Sequence, residues 1–255
     1  MRNLKITIEY DGIGYCGWQV QSRSKSKPSI QATIEKALRK ILRERIKLIG
    51  AGRTDAGVHA EAQAANFKTQ SRIPLHKLQY ALNSALPDDI VITAVKKVKP
   101  DFHSRFDAKS KSYRYVILNS KCRSPILRNY VYFYPHYLDV KLMRREVRCL
   151  LGKHDFKAFC ASGSSAKSTV RNIKNLYIKK LNYPLSAKRY PLITIEIEAG
   201  GFLYNMARNI AGTLIEIGRG KFTPGSMKRI LAARDRKLAG PTAPAMGLCL
   251  LEVKY

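Results

Sequence analysis

The chain has 255 residues, and its 47 lysines and arginines against 18 aspartates and glutamates give a formal net charge of +29. An apolar share of 45% supports a real core, and the field of so basic a chain attracts a polyanion, nucleic acid above all. There is no long uncharged apolar run and the chain enters a strand pattern at once, so neither a membrane span, a signal peptide nor a lipidation motif is expected.

The length suits one large or two modest domains. The five cysteines, Cys16, Cys122, Cys149, Cys160 and Cys249, are dispersed without a C-x-x-C pair, as reduced thiols in a cytoplasm would be. The five histidines are equally scattered, so neither a structural zinc nor another metal centre is expected.

Leu4, Ile6, Ile8 and Tyr10 alternate with polar residues and predict a half-buried strand. A glycine–aromatic segment, Gly14 to Gln19, follows with the chain's single tryptophan, Trp18, which reads as a packing residue. Ser22 to Lys27 reads as a basic, solvated loop. Ser29 is placed to cap a helix whose inward residues are Ile30, Ile34, Ala37, Leu38, Ile41 and Leu42.

A glycine-rich loop comes next, then a strand near Gln63 to Phe67. Pro74 fits the first turn of a second helix with Leu75, Leu78, Leu82 and Ala85 inward. Ile90 to Val98 is an apolar strand. The order strand, helix, strand, helix, strand predicts an α+β domain over residues 1–108.

Phe102 to Ala108 mixes aromatic and charged residues and reads as a packed connection rather than a flexible linker. Ser112 to Leu118 is a strand with Tyr113, Tyr115 and Ile117 on one side. Cross-strand packing is the ordinary fate of such a tyrosine as Tyr113. Asp139 caps a helix carrying Met143, Val147, Leu150 and Leu151, ended by Gly152. Strands follow at Ile173–Lys180 and around Ile193, Ile195 and Ile197. After Gly200 and Gly201 a helix buries Leu203, Met206, Ile210, Leu214 and Ile217, leaving Arg208 at the edge of the stripe, where an arginine commonly snorkels to solvent. A short helix from Thr223 and a last strand from Leu248 complete a second α+β domain of similar size over residues 109–255.

The stretch with chemical character is Gly50-Ala-Gly52-Arg53-Thr54-Asp55-Ala-Gly57-Val58-His59. Three glycines allow sharp turns and close approach, and between them stand a cation, Arg53, and a carboxylate, Asp55. No lysine with Ser or Thr follows the last glycine, so it is not a phosphate loop, and its glycine spacing fails the dinucleotide pattern. The local pattern fits either a rigid loop presenting an acid or an Asx-turn in which Asp55 bonds its own backbone.

Several segments together resemble the bacterial TruA family of tRNA pseudouridine synthases. They are the 50–59 loop, Tyr10-Asp11-Gly12 with Gly17-Trp18-Gln19, Phe102-His103-Ser104-Arg105-Phe106 and Tyr113-Arg114-Tyr115, together with His154-Asp155-Phe156, Asn205-Met206-Ala207-Arg208-Asn209 and Ala243 to Leu248. The resemblance runs from the first strand to the last residue. Cys16 stands where the family usually has an aromatic, and the basic loop 22–27 is slightly long.

The resemblance implies two α+β domains with mainly antiparallel sheets flanked by helices, and an active-site cleft between them. It implies isomerisation of uridine to pseudouridine at positions 38, 39 and 40 of the tRNA anticodon stem-loop by a homodimer that grips tRNA with both subunits; in that reaction nothing is oxidised and no group arrives, so no cofactor or metal is required. It makes Asp55 the catalytic aspartate, Tyr113 the packing partner of the target base, and Arg53 and Arg208 servants of the site. The alternative is a non-catalytic basic RNA-binding or RNA-chaperone protein. That would explain the charge but not an Arg-Thr-Asp set between glycines.

Overall fold

The computed structural model describes residues 1–19, 27–164, 166–185 and 188–255. Most of the basic loop, including Lys25, lies outside the described residues. Lys27 is described, and its Nζ donates to the Ile13 carbonyl at 3.2 Å.

The chain forms two compact units, Met1–Lys109 with Cys249–Tyr255, and Ser110–Leu248. In the first, β1 (Arg2–Tyr10) is followed by α1 (Ile30–Leu42), β2 (Ile49–Gly50), β3 (His59–Thr69), α2 (Leu75–Ala85) and β4 (Ile90–Val98). Strand β1 runs antiparallel to both β3 and β4, and β2 pairs with β3. The apolar alternation of β1 buries Leu4, Ile6 and Ile8 completely. Helix α1 starts where the Ser29 hydroxyl accepts from Ala32 N at 3.1 Å, one orphan donor of the first turn satisfied by its cap. It buries Ile30, Ile34, Ala37, Leu38 and Leu42, while Ile41 is only half-buried. Helix α2 packs beside α1 and against β4.

Two expectations fail at helix ends. Ala85 is exposed, because α2 ends there and only Leu78 and Leu82 of its stripe reach the core. Pro74 is the residue before α2 rather than part of its first turn, with an extended ψ of 142°.

The second unit contains β5 (Ser110–Leu118), β6 (Tyr132–Phe133), α3 (Val140–Glu146), β7 (Gly152–Asp155), β8 (Val170–Leu185), β9 (Lys188–Ala199), α4 (Met206–Gly218) and α5 (Ser226–Ala233). Its strands lie in the order β5, β9, β8, β7, each antiparallel to its neighbour. Asp139 caps α3 as its sequence suggests, accepting from Leu142 N at 2.9 Å. The helix gives way to a 3-10 turn at Val147–Leu150, so Leu151 falls outside it and is 41% exposed. Helix α4 packs on β5 and α3 and buries Met206, Ile210, Leu214 and Ile217, with Leu203 buried just ahead of it.

Both units are α+β with mainly antiparallel sheets flanked by helices. The last strand is β10 (Leu248–Lys254). It pairs parallel to β3, Cys249 opposite His59 and Leu250 opposite Ala60, so residues 249–255 belong to the first unit. Pairing of strands so distant along the chain leaves no mark on local periodicity.

Candidate active site

The loop between β2 and β3 is held mainly by main chain. Ala51 N donates to the Ala64 carbonyl at 2.7 Å, and the Gly52 carbonyl accepts from Gln63 Nε2 at 3.0 Å. Trp18 N donates to the Thr54 carbonyl at 3.0 Å, Gly57 N to Gly12 at 3.2 Å, and Val58 N closes a turn onto Asp55 at 3.2 Å. One buried side-chain bond joins the Thr54 hydroxyl to the Tyr10 hydroxyl at 2.7 Å. Ala51, Thr54 and Val58 point inward and are buried, Asp55 is half-buried and Arg53 is exposed. The alternation of small apolar and polar residues thus presents the acid and the cation while anchoring what lies between them.

The wall behind this loop is the segment Asp11–Gln19, and it fits only because of glycine. Gly17 has φ +104°, and a Cβ there would stand 2.6 Å from the Thr54 carbonyl oxygen. A Cβ on Gly12 would stand 2.1 Å from the Val58 carbonyl oxygen, and one on Gly50 2.5 Å from the Trp18 indole. Trp18, 3% exposed, is therefore the packing residue its sequence suggests, and the surface it packs under is the catalytic candidate loop. Buried His59 places Nδ1 3.2 Å from Gly12 N and 3.2 Å from Asp11 Oδ1, tying the far end of the loop to the same segment. Neither Tyr10 nor His59 was marked by its local sequence as a support of the loop.

In the second unit Tyr113 sits on β5 opposite Ile197, buried, with its ring edge-on to Phe202 at 4.9 Å and 80°. Arg208 does not snorkel. It is half-buried, and its Nε donates to the Ala243 carbonyl at 2.8 Å while Nη1 donates to Asn205 Oδ1 at 3.1 Å. Ala243 N returns a bond to the Arg208 carbonyl at 3.2 Å. Asn205 adopts the left-handed conformation, φ 58°, which asparagine tolerates better than most residues.

Beneath Arg208 lies a polar cluster that sequence reasoning missed. Fully buried Asn209 donates from Nδ2 to the Phe159 carbonyl at 2.8 Å. Its Oδ1 accepts from Arg236 at 3.0 Å and from Thr242 at 2.6 Å. Thr213 accepts from Gly240 N at 2.9 Å. These bonds fasten the stretch 236–243 to the first half of α4. Nearby, burial pushes the Tyr115 phenol well above its ordinary pKa, Tyr132 adds to the shift and Arg208 opposes it. The Tyr115 hydroxyl donates to the Pro244 carbonyl at 2.9 Å.

Among the described residues no group of three or more His, Cys, Asp or Glu side chains is placed to hold a metal ion, and no helix is long and apolar enough to cross a membrane.

The family model described as tRNA pseudouridine synthase matches residues 6–107 and 147–255. The chain is 48% identical over 255 residues to the protein named tRNA pseudouridine synthase A of Caldicellulosiruptor bescii, covering 100% of both chains. It is 48% identical, again with 100% of both chains covered, to the proteins of that name from Thermoanaerobacter sp. and Acetivibrio thermocellus.

Proposed function

Since this chain belongs to the tRNA pseudouridine synthase family, we propose that it isomerises uridine to pseudouridine at positions 38, 39 and 40 of the tRNA anticodon stem-loop, with Asp55 as its catalytic carboxylate. The observation that carries the assignment is the loop itself: one half-buried acid, beside an exposed arginine, on a backbone pinned from both sides in a strongly basic chain.

The chemistry asks little beyond this. The N1–C1′ bond breaks, the uracil turns, C5 bonds to C1′, the C5 proton leaves and N1 gains one. Nothing is oxidised and no group is imported, so the reaction balances without a cofactor or a metal. An ionised carboxylate serves either by adding to sugar or base or by taking a sugar proton. The target base has to leave its stack. Tyr113 gives it an aromatic partner, and such stacking is worth roughly 1–3 kcal/mol per base. By the resemblance Arg53 and Arg208 serve the site, where a fixed positive charge favours negative charge that develops on the reacting groups. Phosphates supply most of the affinity through the lysines and arginines. By the same resemblance the enzyme works as a homodimer, and its dispersed free cysteines suit a cytoplasm.

The deciding experiment uses unmodified tRNA transcript with tritium at uridine C5. An isomerase releases the label to water and leaves the chain uncut. A basic RNA-binding protein or chaperone binds the transcript and releases nothing, and that result would overturn the proposal.

A further inference from the structure

Phe106 is 73% exposed, yet its loop is tightly ordered. His103 N donates to Asp107 Oδ2 at 2.9 Å, and the His103 carbonyl accepts from Phe106 N at 3.1 Å and Asp107 N at 3.0 Å. The imidazole Nδ1 accepts from Arg105 N at 3.2 Å and Phe106 N at 3.3 Å. The base of the loop is fastened to the sheet. Ser104 N donates to Asn66 Oδ1 at 2.8 Å, Asn3 Nδ2 donates to the Phe102 carbonyl at 2.8 Å, and the Tyr255 hydroxyl donates to the Ser104 carbonyl at 3.0 Å.

On this base the His103 imidazole lies against the Phe106 ring, centroids 4.2 Å apart and planes 28° from parallel. The Arg105 guanidinium carbon stands 5.6 Å from the same ring. Even with His103 stacked on it, the Phe106 side chain stays largely open to solvent.

A phenylalanine so exposed adds little to the core, and the loop's order does not serve to bury it. What the arrangement does is fix an aromatic plane, backed by a second ring, beside an exposed cation. A partner that suits it is flat, π-faced and anionic close by, which describes an unpaired nucleobase with its phosphate. The chain's net charge of +29 favours a polyanion such as RNA as that partner.

We infer that Phe106, backed by His103, is a stacking platform for a non-reacting base of the RNA substrate, and that Arg105 contacts the adjoining phosphate. The inference rests on the proposed function for the source of the RNA. It differs from the role given to Tyr113, because the base on Phe106 is not the one isomerised.

The test measures tRNA transcript binding and tritium release for wild type, Phe106→Ala, Phe106→Trp and Arg105→Ala, with thermal melts and sedimentation as controls. Phe106→Ala is expected to raise Kd and KM by about five- to a hundred-fold with an unchanged salt slope, and the saturated single-turnover rate to fall by less than about two-fold. Phe106→Trp keeps a ring and restores binding. Arg105→Ala reduces the salt slope by about one. Wild-type Kd for Phe106→Ala in an enzyme that releases tritium overturns the platform, and so does a Kd that changes only because the oligomeric state does. A wild-type protein that binds tRNA but releases no tritium defeats the proposed reaction instead, and the Phe106 binding series then still decides the platform on its own.

Discussion

Around Asp55 the first unit works by main chain. Neighbouring carbonyls and amides bond to the segment Asp11–Gln19, and Gly12, Gly17 and Gly50 let the strands of backbone close to distances that no Cβ would allow. Around Arg208 the second unit works by side chains: the guanidinium itself bonds Ala243 and Asn205, over a polar cluster of buried Asn209 and Thr213 with half-buried Arg236 and Thr242. The difference follows from what each residue is. Asp55 is short, so its position is that of its backbone, whereas a long arginine has to be held at its head to lose its rotamer freedom before substrate arrives.

The largest expected effect comes from removing the acid and leaving its scaffold. Asp55→Asn should lower single-turnover tritium release by more than about a thousand-fold while tRNA binding, carried by phosphate contacts, stays near wild type. Release above a trace by this variant would take Asp55 out of the reaction.

The comparison is attacked directly by adding one methyl group to each scaffold. Gly17→Ala places a Cβ 2.6 Å from the Thr54 carbonyl at φ +104°, so the loop shifts, and a misplacement of this kind costs about a hundred-fold in rate. Gly212→Ala brings a Cβ within 1.8 Å of the Pro241 carbonyl oxygen. It should lower stability by roughly 1–3 kcal/mol and affect the rate of the folded enzyme less. Thermal melts and single-turnover rates on the same samples separate the two, and a Gly17→Ala enzyme with the wild-type rate would show that the clamp does not position Asp55.

A smaller loss is expected from the arginine. Arg208→Ala should reduce the single-turnover rate by about ten- to a hundred-fold with little change in the salt dependence of binding. Arg208→Lys should recover little, because an ammonium cannot make the two-pronged contact to Ala243 and Asn205. Should Arg208→Ala merely flatten the salt dependence at normal rate, Arg208 is a phosphate contact.

The smallest effect appears only in alkali and strikes both units. Burial pushes the Tyr255 phenol up to about 12 from its ordinary 10.0, and burial likewise raises Tyr10 in the first unit and Tyr115 in the second. A raised folded-state pKa means stability that is whole below the unfolded value and is lost as pH climbs toward the folded one. Stability should therefore hold up to about pH 10 and decline between about pH 10 and about pH 12. Tyr255→Phe should soften that decline slightly while keeping a ring against Phe102, and denaturant midpoints at about pH 8 and about pH 11 measure the difference.

Much of the architecture was legible in the chain. Alternation located β1 and β9, helical spacing found the buried faces of α1 and α4, and Ser29 and Asp139 marked their helix starts. The ordered motifs pointed to the family that the full-length relatives share. These features are local: each depends on residues within a few positions, where periodicity and capping chemistry act. Ala85 was misread because α2 ends at it and only Leu78 and Leu82 of its stripe reach the core, and Leu151 because its pattern continues past the point where hydrogen bonding stops the helix.

What the tertiary structure alone decided is how distant residues meet. The hydroxyls of Tyr10 and Thr54 meet across 44 positions, Cys249 lies opposite His59, and Arg208 is drawn from the helix edge onto Ala243. Glycines 12, 17 and 50 look interchangeable with any turn glycine until the carbonyls and the indole they lie against are in place. Such contacts are settled by which surfaces the folded chain brings within bonding distance, and a linear pattern carries no record of the partner.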